Sequence, residues 1–219
     1  MNIEKILVTG DSLFLRRYRP LFEAIAEQGH QLSYLSRDRH LVKIVNKLIS
    51  TVSPIHANRL QKNSRAFIDN SRWLERQIKQ LQEQPDFVLH VFGMYAPFWE
   101  HFDISYGMYL DYTMTLVHKN WEPWAPFATP EEFSNWLGCE RLAYERSTHL
   151  FTMSDLVKSS LVDDYGISPE KITVVGSFAN RHTVYEGEKK FGSKQILFNG
   201  AEFERKGGDL VLAAFEQVK

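Results

Sequence analysis

The chain has 219 residues, 43% hydrophobic and 24% charged, with a formal net charge of −1 at pH 7. That is globular material with enough apolar mass for a core, sized for one large domain or one domain plus part of a second. Its 26 basic and 27 acidic residues nearly cancel, so bulk charge gives no argument for binding nucleic acid. No apolar run is long enough to span a bilayer, and the start MNIEKILVTG lacks the basic and apolar regions of a signal peptide. The single cysteine, Cys139, permits no internal disulfide and falls within a helical pattern as a small buried apolar residue; a cytoplasmic protein is expected.

Ile6 to Val8 reads as a strand running into Thr9-Gly10. Asp11 or Ser12 then caps a helix through Ala26, which Gly29 closes. QLSYLS is a second strand. From Leu41, the residues Ile44, Val45, Leu48, Ile49 and Val52 share one face, which predicts an amphipathic helix. A longer helix is expected from about Ser64 to Gln84. DFVLHVFG is nearly continuous in apolar residues, as a strand buried on both faces should be.

ISYGMYLDYT is the next strand, and HKNWEPWAPF reads as an aromatic loop after it. Thr129-Pro130-Glu131-Glu132 is a capping box with proline at the first helical position, opening a helix to about Ser147. HLFTMS is a strand, Ser154 or Asp155 opens a helix that Gly166 ends, and SPEKITVVGS is a turn and a strand. Residues 181–195 read as a linker, polar and without period. Strands alternating with helices predict a mostly parallel α/β sheet of about six or more strands, covered on both faces.

After the linker, Ile196 to Asn199 reads as a new strand. Gly200 turns the chain, and AEFERK leads into Gly207-Gly208 at a helix start. Unpaired N–H groups there, with the charges of Arg205 and Lys206, suit an anion. A plain structural turn is the alternative, and neither a Walker A loop nor a dinucleotide-binding glycine pattern is present.

ILFNGAEFERKGGDLVLAAFEQVK resembles the opening of the C-terminal, nucleotide-sugar-binding domain of family 4 glycosyltransferases of the GT-B fold. TMSDLVKSSLVDDYGISPEKITVVGSFAN resembles the last unit of that family's N-terminal domain. The resemblance implies a Rossmann-like acceptor domain over 1–180 and an incomplete donor domain over 196–219. It implies sugar transfer from a nucleotide sugar to a carbohydrate or other hydroxyl acceptor, usually retaining, with no bound metal or other cofactor. Donor diphosphate would lie at Arg205, Lys206 and Gly207. The sequence departs from the family pattern at Ala201, where a basic residue is common, and at Ser177-Phe178-Ala179-Asn180, where an NG pair is usual. The first strand–helix loop lacks the family's glycine pair. The family's E-x7-E pair comes beyond Lys219. The chain is therefore expected not to transfer sugar alone. It would be a truncated enzyme, or else one subunit of a two-chain enzyme, or a non-catalytic ligand-binding module. A small α/β nucleotide-binding protein, with Ile196–Lys219 packed on the first sheet, is a further rival.

In an open parallel sheet, ligands sit beyond the carboxyl ends of the strands. The acceptor cleft is expected at Asp11, Ser12, Gly93, Met94, Tyr95, Tyr112, Thr113 and Ser154. Asp111 stands where the resembling family strand often ends in histidine, so it is the candidate catalytic residue. It either accepts a proton from an acceptor hydroxyl or caps a backbone N–H. Tyr95, Phe98, Trp99, Trp121, Trp124 and Phe127 either stack on sugar or pack their loops. RRYRP and RDRH are either a solvated face or a contact for anionic lipid or an anionic acceptor, which would be peripheral membrane contact. The eight histidines have no metal-ligand spacing, so no structural metal is expected.

Overall fold

The computed structural model describes residues 3–37, 59, 61–100, 103–177, 186–188, 192 and 195–218. The amphipathic helix expected from Leu41 lies outside them, as does most of the linker. The chain divides into two units, Met1–Asn180 and Arg181–Lys219.

The first unit is built on a six-stranded, all-parallel sheet. Its strands are β1 (Lys5–Gly10), β2 (Gln31–Ser36), β3 (Phe87–Val91), β4 (Ser105–Leu110), β5 (His149–Thr152) and β6 (Ile172–Val174). The order across the sheet is β2-β1-β3-β4-β5-β6. The connections are α1 (Ser12–Arg17), α2 (Arg19–Glu27), α3 (Ser64–Lys79), α4 (Met114–Asn120), α5 (Pro130–Arg146) and α6 (Asp155–Asp163). This is a Rossmann-like α/β arrangement.

Alternation along each strand builds two cores. Leu7, Val88, Tyr106, Met108, Leu110 and Leu150 face one side, where Phe67, Leu74 and Ile78 of α3 and Trp136 and Tyr144 of α5 meet them. Ile6, Val8, Leu89, Val91 and Tyr109 face the other, against Leu15 of α1 and Phe22 of α2. Mid-strand Gly107 is required by this packing: a Cβ there would lie 2.9 Å from the Phe87 ring and 3.0 Å from the Phe151 ring.

The structure corrects several readings. The helix expected from Asp11 to Ala26 is broken at Tyr18 (φ −98°, ψ 14°), because Pro20 has no N–H to donate to the preceding turn. The long helix ends at Lys79 rather than Gln84. The strand expected through Thr113 ends at Leu110. α4, whose N-cap Thr113 accepts from Leu116, runs into the start of the aromatic loop, and a 3₁₀ turn at Glu122–Trp124 follows. In the second unit, Ile196–Asn199 is not a strand. A strand needs a neighbour to accept its ladder bonds, and among the described residues none pairs with it. There Leu197 is 98% exposed. The helix after it, α7 (Gly208–Gln217), forms as read, with Gly207 in the left-handed region (φ +71°) at its start.

Candidate functional site

A parallel sheet collects its helix starts at one end, and each helix start must satisfy unpaired N–H groups. Several predicted cleft residues are used for this. The Asp11 carboxylate accepts from Leu13 N–H at 2.8 Å. Thr113 Oγ1 takes Leu116 N–H at 3.3 Å, is fully buried, and lies 2.7 Å from Ser160 Oγ. Ser154 Oγ caps α6 through Val157 N–H at 3.4 Å. Ser12 is buried.

The loop leaving β3 is packed inward. Phe92 holds a left-handed backbone (φ +70°), costly for a residue with a side chain, while its ring sits edge-on to Phe14 and Tyr18. Gly93 then passes the Tyr144 hydroxyl, 3.0 Å from where a Cβ would be. Met94 Sδ accepts from Tyr112 Oη at 3.7 Å. Tyr95 is 7% exposed and lies edge-on to His90, whose burial pulls its pKa down to about 3. Phe98 is buried, and Trp99, Trp124 and Phe127 pack on the same core, so these rings hold their loops to the domain.

Asp111 differs from these neighbours. It follows β4 directly and is half-buried. Burial pushes its carboxyl up to about 7, against backbone N–H groups of Asp111 and Tyr112 and the charges of Arg17 and Lys62. Arg17 comes from the end of α1. Lys62 comes from the approach to α3, is nearly buried, and donates to the Trp124 carbonyl. Burial pulls the Lys62 amine down to about 8, opposed by the charges of Glu140 and Asp111.

Glu140 is the second carboxyl of this neighbourhood. It is buried on α5, where its Oε2 accepts from Tyr165 Oη at 2.5 Å and Met114 N–H at 3.3 Å. Burial pushes it up to about 7 despite those bonds. Glu140 thus ties α4, α5 and Tyr165 together, while Asp111 keeps partial access to solvent. A carboxyl that keeps partial access to solvent and titrates near neutrality can take a proton from a hydroxyl at ordinary pH. Cys139, beside Glu140, is buried, with its thiol pushed up to about 11.

Sequence reading missed Arg17, Lys62 and Glu140 as members of this cluster. Glu140 had a visible signal: it stands four residues after Trp136 and four before Tyr144, a charge on an apolar helical stripe. Lys62 had none, since its partners are far off in sequence. Among the described residues, no group of histidine, cysteine and carboxylate side chains could hold a metal ion.

The second unit places Arg205, Lys206 and Gly207 immediately before α7. Arg205 pairs with Glu202 at 2.6 Å. Lys206 is exposed and makes no ion pair among the described residues. The Phe203 ring closes over Gly208, where a Cβ would collide at 2.3 Å.

A family model described as Glycosyltransferase Family 4 matches residues 17–180. No curated protein matches the chain. A solved structure similar to it is that of Arabidopsis thaliana UGT89C1 complexed with UDP-L-rhamnose, at 14% identity and a TM-score of 0.37, covering 80% of this chain and 52% of that one. The chain spans about half the length of that protein. Among the described residues, no helix is long and apolar enough to cross a membrane.

Proposed function

The chain belongs to glycosyltransferase family 4, and from that premise we propose that it serves retaining sugar transfer from a nucleotide-sugar donor to a hydroxyl acceptor, in the cytoplasm and without a metal. Its first unit supplies the acceptor side. The observation that carries this reading is Asp111, a mostly buried carboxyl with partial access to solvent at the end of a central strand, raised to about 7 and flanked by Arg17 and Lys62. In the proposed role it orients the acceptor hydroxyl and takes up its proton. In the same proposal, Asp11, Ser12, Gly93, Met94, Tyr95, Tyr112, Thr113 and Ser154 belong to the acceptor cleft with it.

Arg205, Lys206 and Gly207 are the proposed donor-diphosphate contacts. Exposure of Lys206 supports this, because its charge is not committed to an ion pair among the described residues. A second reading, that the donor side comes from another chain, is favoured by exposed Leu210, Leu212 and Phe215 on α7. Titration of wild type and Lys206→Ala with nucleoside diphosphates tests the donor contact. A charge-assisted bond to phosphate is worth about 1.5–3 kcal/mol, so binding should weaken roughly tenfold or more with the melting temperature unchanged. Unchanged binding with a lowered melting temperature would make Lys206 structural.

A further inference from the structure

The RRYRP run divides in the fold. Arg16 and Arg17 end α1, Tyr18 breaks the helix, and Arg19 opens α2. Arg19 is committed, its Nε donating to Glu23 at 2.7 Å. Arg17 is exposed and makes no ion pair among the described residues. What holds it is a ring: its guanidinium lies over Phe14, 5.9 Å from the ring centre. An aromatic face orients a guanidinium while leaving its N–H edge available.

That ring is itself fixed. Phe14 meets Phe92 edge-on with ring centres 4.4 Å apart, and Phe92 meets Tyr18 edge-on at 5.5 Å. Phe92 is 4% exposed and holds φ +70°, a conformation glycine would take without strain. Its N–H donates to the Tyr109 carbonyl at 2.9 Å. A bulky ring thus stands where the backbone disfavours one, and its place there is against Phe14. Tyr18, next to Arg17, packs edge-on to Tyr109 at 5.7 Å, two residues before Asp111. The end of α1 is thereby docked on the end of β4, which brings Arg17 towards Asp111.

The charge of Arg17 reaches Asp111, yet the two form no ion pair. A dedicated counter-ion would close on the carboxylate. Arg17 is instead held beside it on aromatic rings. Asp111, raised to about 7, is only part-charged near neutrality and does not offset Arg17 in full. Resting on the reading of Asp111 as the group that serves the acceptor hydroxyl, we propose that Arg17 binds an oxyanion carried by the acceptor itself. Guanidinium matches a carboxylate or a phosphate through paired N–H donors. A uronic acid, a sugar phosphate and a phospholipid headgroup share this chemistry, and each also carries a hydroxyl.

The test is ¹H–¹⁵N NMR titration of the whole chain with glucuronate, glucose 6-phosphate and glucose. Parallel titrations use vesicles of phosphatidylcholine with and without phosphatidylglycerol. Glucuronate and glucose 6-phosphate, or phosphatidylglycerol vesicles, should shift the Arg17 Nε–H and the amides of Phe14, Asp111 and Tyr112. Glucose and plain vesicles should leave Arg17 in place. Arg17→Gln should weaken that binding roughly tenfold or more. Arg17→Lys should recover part of it, because the charge remains but the paired donors do not. Phe14→Leu keeps the charge and removes the ring, so binding should fall roughly twofold to fivefold. Arg16→Gln, the same loss of charge one residue away, should retain most of it. Shifts with the soluble anions alone identify a free acceptor; shifts with vesicles alone identify a headgroup. Shifts at Arg17 that spare Asp111 and Tyr112 would establish the oxyanion site and overturn the acceptor reading beneath it. Equal response to glucose and glucuronate, no response to any of these anions, or full binding in Arg17→Gln would overturn the proposal without touching the role of Asp111.

Discussion

The two units use the same kinds of residue to opposite ends. In the first, Leu7, Val88, Met108 and Leu150 are sealed between a parallel sheet and its helices. In the second, the strand-like run and helix leave Leu197 98% and Leu210 69% exposed. Both stretches carry the apolar pattern of an α/β unit. What differs is the partner: strand hydrogen bonds and helix stripes stabilise only against another element. Chemistry divides likewise. The first unit raises the pKa of Asp111 and Glu140 by burying them, whereas Lys206 in the second is exposed to solvent.

That contrast can be broken most strongly at Trp136, fully buried against Phe67. Trp136→Ala should cost about 3–5 kcal/mol in chemical denaturation, as aromatic truncation in a core does. The buried carboxyls give the next effect. Folding raises the pKa of Glu140 and Asp111 to about 7, so the folded state binds their protons more tightly than the unfolded chain. The stability they contribute is complete below about pH 4 and is lost as pH rises through about 7. Lys62 acts elsewhere: its pKa is lowered to about 8, and its contribution is lost as pH falls through that value. Unfolding free energy should therefore drop by up to a few kcal/mol between pH 5 and about pH 8, and Glu140→Gln should flatten that slope. A slope unchanged by Glu140→Gln would remove Glu140 from the account.

Gly107→Ala comes third. Its new Cβ would strike two rings and the His149 carbonyl, so a loss of about 1–3 kcal/mol is expected from overpacking. Smallest is Leu212→Ala on α7. An exposed position should change stability by less than about 0.5 kcal/mol, and a larger loss would mean that this helix face is covered in solution.

The alternation of strands and helices made the sheet legible, because period and capping are local signals. Thr129, Ser154 and Gly166 marked helix ends correctly for the same reason. α4 was missed because seven residues give too little period, although Thr113 was available as its cap. Ile196–Asn199 was over-read because apolar content does not reveal whether a neighbouring strand exists. Asp111 was legible by position, since it ends an apolar strand. Its raised pKa was not, because burial and the approach of Arg17 and Lys62 arise only from the fold.

The central claim is that Asp111 serves the acceptor hydroxyl in sugar transfer. The most direct measurement is the transfer rate from a panel of radiolabelled nucleotide sugars, in an enzyme assembled with a complete donor domain, for wild type and Asp111→Asn across pH. Wild type should gain rate as pH rises through about 7, where the carboxyl becomes able to accept a proton. Asp111→Asn should lose at least about a hundredfold in kcat and the pH dependence, with donor binding unchanged. An Asp111→Asn enzyme that keeps both the wild-type rate and its pH profile would contradict the account.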